Sequence, residues 1–275
     1  MDQPVGMLLR RAYLRFTSAE SGDASAARDV AILDVLAGAG ASSQQDLAER
    51  LGINRTIMVR VLDRLADAGW VERVRNAADR RSYQLRLTPA GDAARPGLRR
   101  EAAERSAELT AVLTPAERDR LDTLLAGLLP EPAEHGPELG TEFLVAQAHL
   151  AMRRLADGLL AGTGLRLSYF GALTAIDRVG PRTQRDLARR LEITEPAAAE
   201  LVDELVGAGL VIRDRDPDDR RRYALRLTDE GRTALATLRA TAAEVQTRVA
   251  TRLGEAATDE LRALLSRLIG DAPAA

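Results

Sequence analysis

Residues 46–91 read DLAERLGINRTIMVRVLDRLADAGWVERVRNAADRRSYQLRLTPAG, and residues 186–231 read DLARRLEITEPAAAELVDELVGAGLVIRDRDPDDRRRYALRLTDEG. A shift of 140 residues superposes the two without a gap. Asp46 falls on Asp186, Leu51 on Leu191, Asp63 on Asp203, Gly69 on Gly209, and Asp79-Arg80-Arg81 on Asp219-Arg220-Arg221. The offset holds outside this core, where Leu33 meets Leu173 and Leu121, Leu124, Leu125 and Leu128 meet Leu261, Leu264, Leu265 and Leu268. A repeat of this length is a whole domain rather than a solenoid unit. The chain therefore reads as a tandem duplication: a first copy over 1–129, a linker over 130–142 and a second copy over 143–275.

Within one copy, residues 46–51 predict a short helix, and Gly52 supplies the turn after it. Asn54 in the first copy and Thr194 in the second have the short polar side chains that cap a following helix. Along that helix Ile57, Val61, Leu62 and Leu65 form an inward stripe, which leaves Arg55, Thr56, Met58, Val59, Arg60 and Arg64 toward the outside. Gly69 stands where a helix C-terminus needs a left-handed residue. Residues 70–75 and 81–87 alternate apolar and polar with period two, so each predicts a strand. Asn76-Ala77-Ala78-Asp79 joins them in the first copy and Asp216-Pro217-Asp218-Asp219 in the second, both with turn chemistry. Helix, turn, helix and a hairpin with a basic tip describe a winged helix-turn-helix. In such a unit the second helix enters a DNA major groove and the hairpin reaches the backbone or minor groove.

The flanks predict further helices at 5–16, carrying Met7, Leu8, Leu9, Tyr13, Leu14 and Phe16, and at 26–36, with a polar break around Gly22 between them. A long Ala/Arg/Glu helix follows the hairpin over 90–113. Thr114-Pro115-x-Glu117 then reads as N-cap, N1 proline and capping box for a last helix ending near 129. Residues 129–142 (LPEPAEHGPELGTE) have the composition of a linker. The second copy repeats the plan near 143–160, 165–177, 232–253 and 256–269, where Thr258-x-x-Leu261 and a leucine stripe signal the last helix and its cap. The fold class expected is mainly α with small β-hairpins.

Composition narrows the function. At 275 residues the chain can bury two ordinary cores. A net charge of -2 announces no global basic field, so any nucleic-acid surface must be local. With no cysteine there is no disulfide, thiol sensor or cysteine metal site. Two histidines, His135 and His149, are too few for a histidine metal cluster. No nucleophile elbow, zincin motif, P-loop or dinucleotide fingerprint occurs, so neither an enzyme nor a cofactor is expected. There is no signal peptide and no apolar run of membrane-spanning length, which predicts a cytoplasmic protein. Every basic side chain is arginine, as a GC-rich genome produces.

DLAERLGI…VLDRLADAGWVERV…ADRRSYQLRLTPAG and its second occurrence resemble the MarR family of bacterial transcriptional regulators. The specific part is the wing, Asp-x-Arg followed by an alternating strand and Leu-Thr-x-x-Gly; the likeness extends over nearly the whole chain. The resemblance implies a double-stranded DNA operator as partner, and a small aromatic or phenolic effector bound between the outer helices and the winged domain. It also implies that those outer helices are a dimerisation domain. Family members are single-copy chains that dimerise, whereas here both copies are fused. The economical arrangement is an intramolecular pseudo-dimer, its recognition helices roughly 34 Å apart on one duplex face; a higher oligomer and two independent beads are the other arrangements. The DNA-binding candidates are Arg55, Thr56, Arg60, Arg64, Arg75, Arg80 and Arg81 in the first copy and Arg215, Arg220, Arg221 and Arg222 in the second. By resemblance, Asp79 orients Arg81 toward the minor groove. Arg64 has a second reading, held by Asp63, Asp67 or a wing aspartate. Tyr13, Phe16, Met152, Tyr169 and Phe170 lie in the helices that would flank an effector, and ordinary core packing is their other reading. The alternative function is a winged-helix protein-interaction module with little DNA affinity.

The copies are not equivalent. Arg55, Thr56, Arg60 and Arg64 align with Glu195, Pro196, Glu200 and Glu204. Residues 54–88 hold eight Arg and four acids, a net +4; residues 194–228 hold six Arg and eight acids, a net -2. Carboxylates near phosphates are repelled, so the first copy is expected to dominate base reading and the second to hold on through its wing.

Overall fold

In a computed structural model of the chain, residues 3–18, 25–51, 53, 55–76, 83–129, 140–179, 183–191, 193–215 and 223–270 are described. Gly52, Asn54, Asp79, Arg80, Arg81, Arg220, Arg221 and Arg222 lie outside them, as does 130–139 of the linker. The chain divides into two compact units, Met1–Met152 with Arg248–Ala275, and Arg153–Thr247. The division does not follow the repeat, because the two ends of the second copy belong to the first unit.

The first unit begins with α1 (Val5–Ser18) and α2 (Ala26–Ala39), then β1 (Ala41–Ser42), α3 (Gln44–Leu51), α4 (Arg55–Asp67), β2 (Val71–Arg75) and β3 (Tyr83–Leu87). The strand order is β1-β3-β2, all antiparallel, with Val71 opposite Leu87 and Arg75 opposite Tyr83. The short β1, which no sequence pattern announced, pairs Ser42 with Leu85. Leu33, Leu36, Leu47, Val61, Leu62, Leu65, Val71 and Leu85 close the core beneath the sheet. Met58 is fully buried with them, which corrects the expectation that it faces outward. At 100° per residue, position 58 leads the stripe 58-61-62-65, and Ile57 drops to its half-buried flank. Ala198, its repeat equivalent, is buried as well.

The Leu-Thr-x-x-Gly signature is a closing device for this domain. Thr88 Oγ1 donates to the Gly69 carbonyl at 2.6 Å and accepts from Gly91 N at 3.0 Å, while Thr88 N donates to the Trp70 carbonyl. Gly69 sits at φ 72, the left-handed region that favours glycine. A Cβ at Gly91 would overlap the Trp70 carbonyl oxygen. Thr228 and Gly231 repeat the arrangement on Gly209 and Leu210.

The rest of the first unit is helical. It comprises α5 (Pro89–Leu109), α6 (Pro115–Gly127), the start of α7 (Gly140–Leu159), the end of α11 (Asp229–Leu253) and α12 (Glu255–Leu268). Thr114 and Glu117 form the expected capping box on α6. The last helix of the second copy packs on α1 and α6 of the first. Its cap differs from expectation. Gly254 at φ 85 precedes α12 without a side-chain cap, and Thr258 is buried inside the helix, donating to the Gly254 carbonyl. Gly254 is the repeat equivalent of Thr114 and Ala257 that of Glu117, so the second copy has lost the box.

The contacts of α6 and α12 are pseudo-symmetric. Arg252 Nε donates to the Gly127 carbonyl at 2.5 Å, and Arg267 Nη2 to the Val112 carbonyl at 3.4 Å. Subtracting 140 from each second-copy number turns one pair into the other. At the centre Arg120 donates to Glu260 Oε2 at 2.9 and 2.7 Å, and 120 and 260 are one repeat position facing itself. The fused copies thus build the helical pairing expected of a pseudo-dimer. Arg267 also engages Glu117 and holds that carboxyl down at about 2, with the Thr114 backbone and hydroxyl assisting.

In the second unit α8 (Tyr169–Val179), α9 (Gln184–Leu191), α10 (Glu195–Gly207), β4 (Val211–Arg215) and β5 (Tyr223–Leu227) repeat the winged plan. Val211 lies opposite Leu227 and Arg215 opposite Tyr223, the register of the first copy plus 140. Leu173, Ile176, Leu187, Val202, Leu205, Leu225, Leu235 and Leu238 form its core.

Candidate nucleic-acid interface

The inner stripe of α4 is packed, so its other face is presented to solvent. Arg55, Thr56, Val59 and Arg60 are exposed there, one turn apart in pairs. Val59, at 38% exposure, adds an apolar side chain of the kind that contacts a thymine methyl. Arg75 ends β2 and is exposed, across the hairpin from exposed Tyr83. The exposed side chains of α4 thus include two arginines and an apolar valine, together with Asp63 and Asp67.

Arg64 behaves differently. Its Nη1 and Nη2 donate to the two oxygens of Asp29 at 2.7 and 2.5 Å, and Asp29 is buried at the start of α2. A bidentate pair of this kind fixes a guanidinium in place. The holding carboxylate is thus Asp29 rather than Asp63, Asp67 or a wing aspartate. Asp63 instead accepts from Arg73 at 2.6 Å. A second buried acid on α2, Asp34, accepts from Arg95 at 2.6 Å and from Arg99 at 2.9 Å. Two aspartates inside the largely apolar Ala26–Ala39 helix, which has Arg28 as its one other charged residue, were the sequence signal for both clusters.

In the second unit the matching surface is acidic. Glu195, Glu200, Asp203 and Glu204 are all exposed on α10. Glu204, the equivalent of Arg64, accepts from Tyr169 Oη at 3.3 Å and Arg166 at 3.2 Å; Tyr169 is the equivalent of Asp29. Burial raises the Tyr169 phenol above its ordinary range, and Glu204 adds to the shift. Glu195 accepts from Arg185 at 3.0 Å, and Asp203 pairs with Arg213. The backbone of Arg215 ends β4; Arg80, Arg81, Arg220, Arg221 and Arg222 are outside the described residues.

Of the effector candidates, Tyr13 stacks on His149 with ring centroids 5.0 Å apart, and Phe16 and Met152 are buried, all in the first unit. Tyr169 is buried and Phe170 half-buried against the core of the second. Among the described residues no group of His, Asp and Glu could hold a metal ion, and no helix is long and apolar enough to cross a membrane.

Comparison with known proteins identifies the family. Two family models, both described as MarR family, match residues 27–83 and 163–222. A Thauera aromatica protein named for transcriptional regulation of the hcr operon is 30% identical over 118 residues, 43% of this chain and 71% of that protein. The multiple antibiotic resistance protein MarR of Salmonella typhimurium is 36% identical over 98 residues, 34% of this chain and 65% of that protein. Among solved structures, the transcriptional repressor CouR bound to a 23-mer DNA duplex is 31% identical, with 46% of this chain and 89% of that chain covered and a TM-score of 0.42. With the winged-helix core present twice in both sequence and fold, the chain belongs to the MarR family of winged helix-turn-helix transcriptional regulators, as a tandem-duplicated member.

Proposed function

We propose that the chain is an effector-responsive transcriptional repressor that binds one double-stranded operator as a single-chain pseudo-dimer, its copies being 1–129 and 143–275 joined by 130–142. The first copy reads bases through Arg55, Thr56 and Arg60 on α4, and the second holds the duplex without reading it. The supporting observation is the inversion of one surface: exposed Arg55 and Arg60 on α4 stand where exposed Glu195 and Glu200 stand on α10. Arginine reads guanine edges and phosphates, whereas a row of carboxylates meets phosphate repulsion. Arg75, Arg80 and Arg81 in one wing and Arg215, Arg220, Arg221 and Arg222 in the other supply backbone or minor-groove contacts. The operator is accordingly a poor palindrome. A small aromatic or phenolic effector releases DNA by favouring a conformation in which the winged domains no longer fit one duplex face; Tyr13, Phe16, Met152, Tyr169 and Phe170 are the residues assigned to it.

The test is titration of a duplex selected from genomic DNA by the purified chain. Arg60→Ala is expected to cost about 1–3 kcal/mol on that duplex and little stability, because the side chain is exposed. Glu200→Ala is expected to leave binding unchanged or tighten it. Arg64→Ala should chiefly lower stability, by roughly 1–3 kcal/mol after allowing for its partial exposure, since it strands buried Asp29. Loss of sequence preference in Glu200→Ala would make α10 a reader and end the asymmetric assignment. A chain with no salt-dependent duplex binding would favour the protein-interaction alternative.

A further inference from the structure

Charge has moved between the two helices of the helix-turn-helix. In the first unit α3 carries Arg50 against Asp46 and Glu49, a net -1, and α4 carries Arg55, Arg60 and Arg64 against Asp63 and Asp67, a net +1. In the second unit α10 carries Glu195, Glu200, Asp203 and Glu204 with no base, a net -4. There α9 carries Arg185, Arg189 and Arg190 against Asp186, a net +2. Arg185 and Arg189 replace Gln45 and Glu49 of the first copy. The cations missing from the second helix have reappeared on the first.

We propose that the α9 face bearing Arg185, Arg189 and Arg190 is a DNA-backbone surface, through which the second unit grips phosphates without reading sequence. The assignment rests on the reading of the chain as an operator binder and names how its second copy holds on. Three observations carry it. All three arginines are exposed, Arg185 and Arg189 at 76% and 75% of their side chains. The opposite side of α9 is anchored by buried Leu187 and Ala188, so the helix cannot roll its arginines inward. Thr183 and Asp186 exchange capping hydrogen bonds at the start of α9, which fixes its first turn. The first helix of a helix-turn-helix crosses the DNA backbone while the second enters the groove. Cations on α9 therefore meet phosphates at the edge of the groove that α10 faces, where Arg185 offsets the Glu195 carboxylate that it holds at 3.0 Å. Two of the arginines now rest on acidic neighbours: Arg185 on exposed Glu195 at 3.0 Å and Arg189 on half-buried Asp186 at 2.6 Å. Exposed pairs of this kind are weak and exchange readily for a phosphate.

The experiment compares the full chain with Arg189→Ala/Arg190→Ala and with Arg189→Glu, on the selected duplex and on a scrambled duplex of equal length, across a salt series. Each phosphate left without its arginine should flatten the plot of log affinity against log salt by about 0.9, so the double variant should flatten it by roughly 1.8. Affinity should fall by the same factor on both duplexes, and further for Arg189→Glu, with melting temperatures unchanged. An unchanged slope, or a weakening confined to the selected duplex, overturns the proposal. Arg60→Ala separates the two levels. If it lowers affinity for the selected duplex while the α9 variants do nothing, the operator reading stands and the α9 surface falls. If the wild-type chain binds neither duplex, the operator reading fails and the α9 surface falls with it.

Discussion

Arg64 and Glu204 occupy one repeat position and carry opposite charges, yet neither is left as an unpaired charge. Asp29 meets Arg64 with both oxygens, and Tyr169 meets Glu204 with a hydroxyl while Arg166 adds a cation. The two copies differ at the helix residue and at its α2 or α8 neighbour together, as expected where removing one partner would strand the other in a partly buried site. Asp122 on α6 is an acid without such a complete solution. Its Oδ1 is buried with no hydrogen-bond partner, and burial pushes the carboxyl up to about 6 despite a hydrogen bond from Thr141. A folded-state value above the ordinary 3.8 means that the protonated form is the better tolerated. The stabilisation from proton binding is full below the ordinary value and disappears as pH rises through about 6. Asp122→Asn, which keeps the neutral shape at every pH, should therefore be more stable than the parent at pH ~7.5, by about 1–3 kcal/mol, and lose that advantage near pH ~4. Denaturant titrations at the two pH values read this directly. A variant less stable than the parent at the higher pH would show that the carboxylate has a favourable partner after all.

At the scale of elements, the strands and the winged-helix plan were legible because period-two alternation and glycine punctuation are local signals. Gly69 and Gly209 ended their helices in the left-handed region, and the alternating segments paired in matching registers. Met58 was misplaced because 57-61-65 and 58-61-62-65 both fit an apolar stripe, and only packing chooses between them. Thr258 misled because it resembles a cap, although the equivalent of Thr114 is Gly254. Asp29 could not be linked to Arg64 from sequence, since the two are 35 residues apart and meet only in the folded chain. The Leu-Thr-x-x-Gly signature was legible as a pattern while its cause was not. The cause is the contact between the residue after the helix and the start of α5, where no Cβ fits at Gly91. Gly91→Ala should therefore destabilise the first unit by roughly 1–3 kcal/mol, as overpacking against backbone does. Thermal melts and proteolysis compare it with Gly97→Ala, where a Cβ meets nothing within 4 Å. Equal behaviour of the two variants would remove the proposed role of the close approach.

For the whole molecule, fusion matters most where the two copies face each other at identical repeat positions. A dimer of identical chains must place like residues together at a point on its axis, whereas a fused chain can diversify them. Arg120 opposite Glu260 uses that freedom: two first copies would bring arginine to arginine there, and two second copies glutamate to glutamate. Gly127 extends the same logic by shape. Its Cβ would lie 2.8 Å from Leu253 Cδ2, while the repeat equivalent of Gly127 is Arg267. Two second copies paired through this face would thus have to fit an arginine where glycine now stands. Both features favour pairing of unlike copies, which one chain satisfies by itself. Light scattering of the complex is expected to give one chain per operator. Arg120→Glu should lower the melting temperature by opposing two carboxylates, and Arg120→Glu/Glu260→Arg should restore it, because the exchanged pair is again complementary. The pair is exposed, so the shift should shrink as salt rises. Two chains per operator, or a double variant no more stable than the single one, would show that the facing residues do not select the partner.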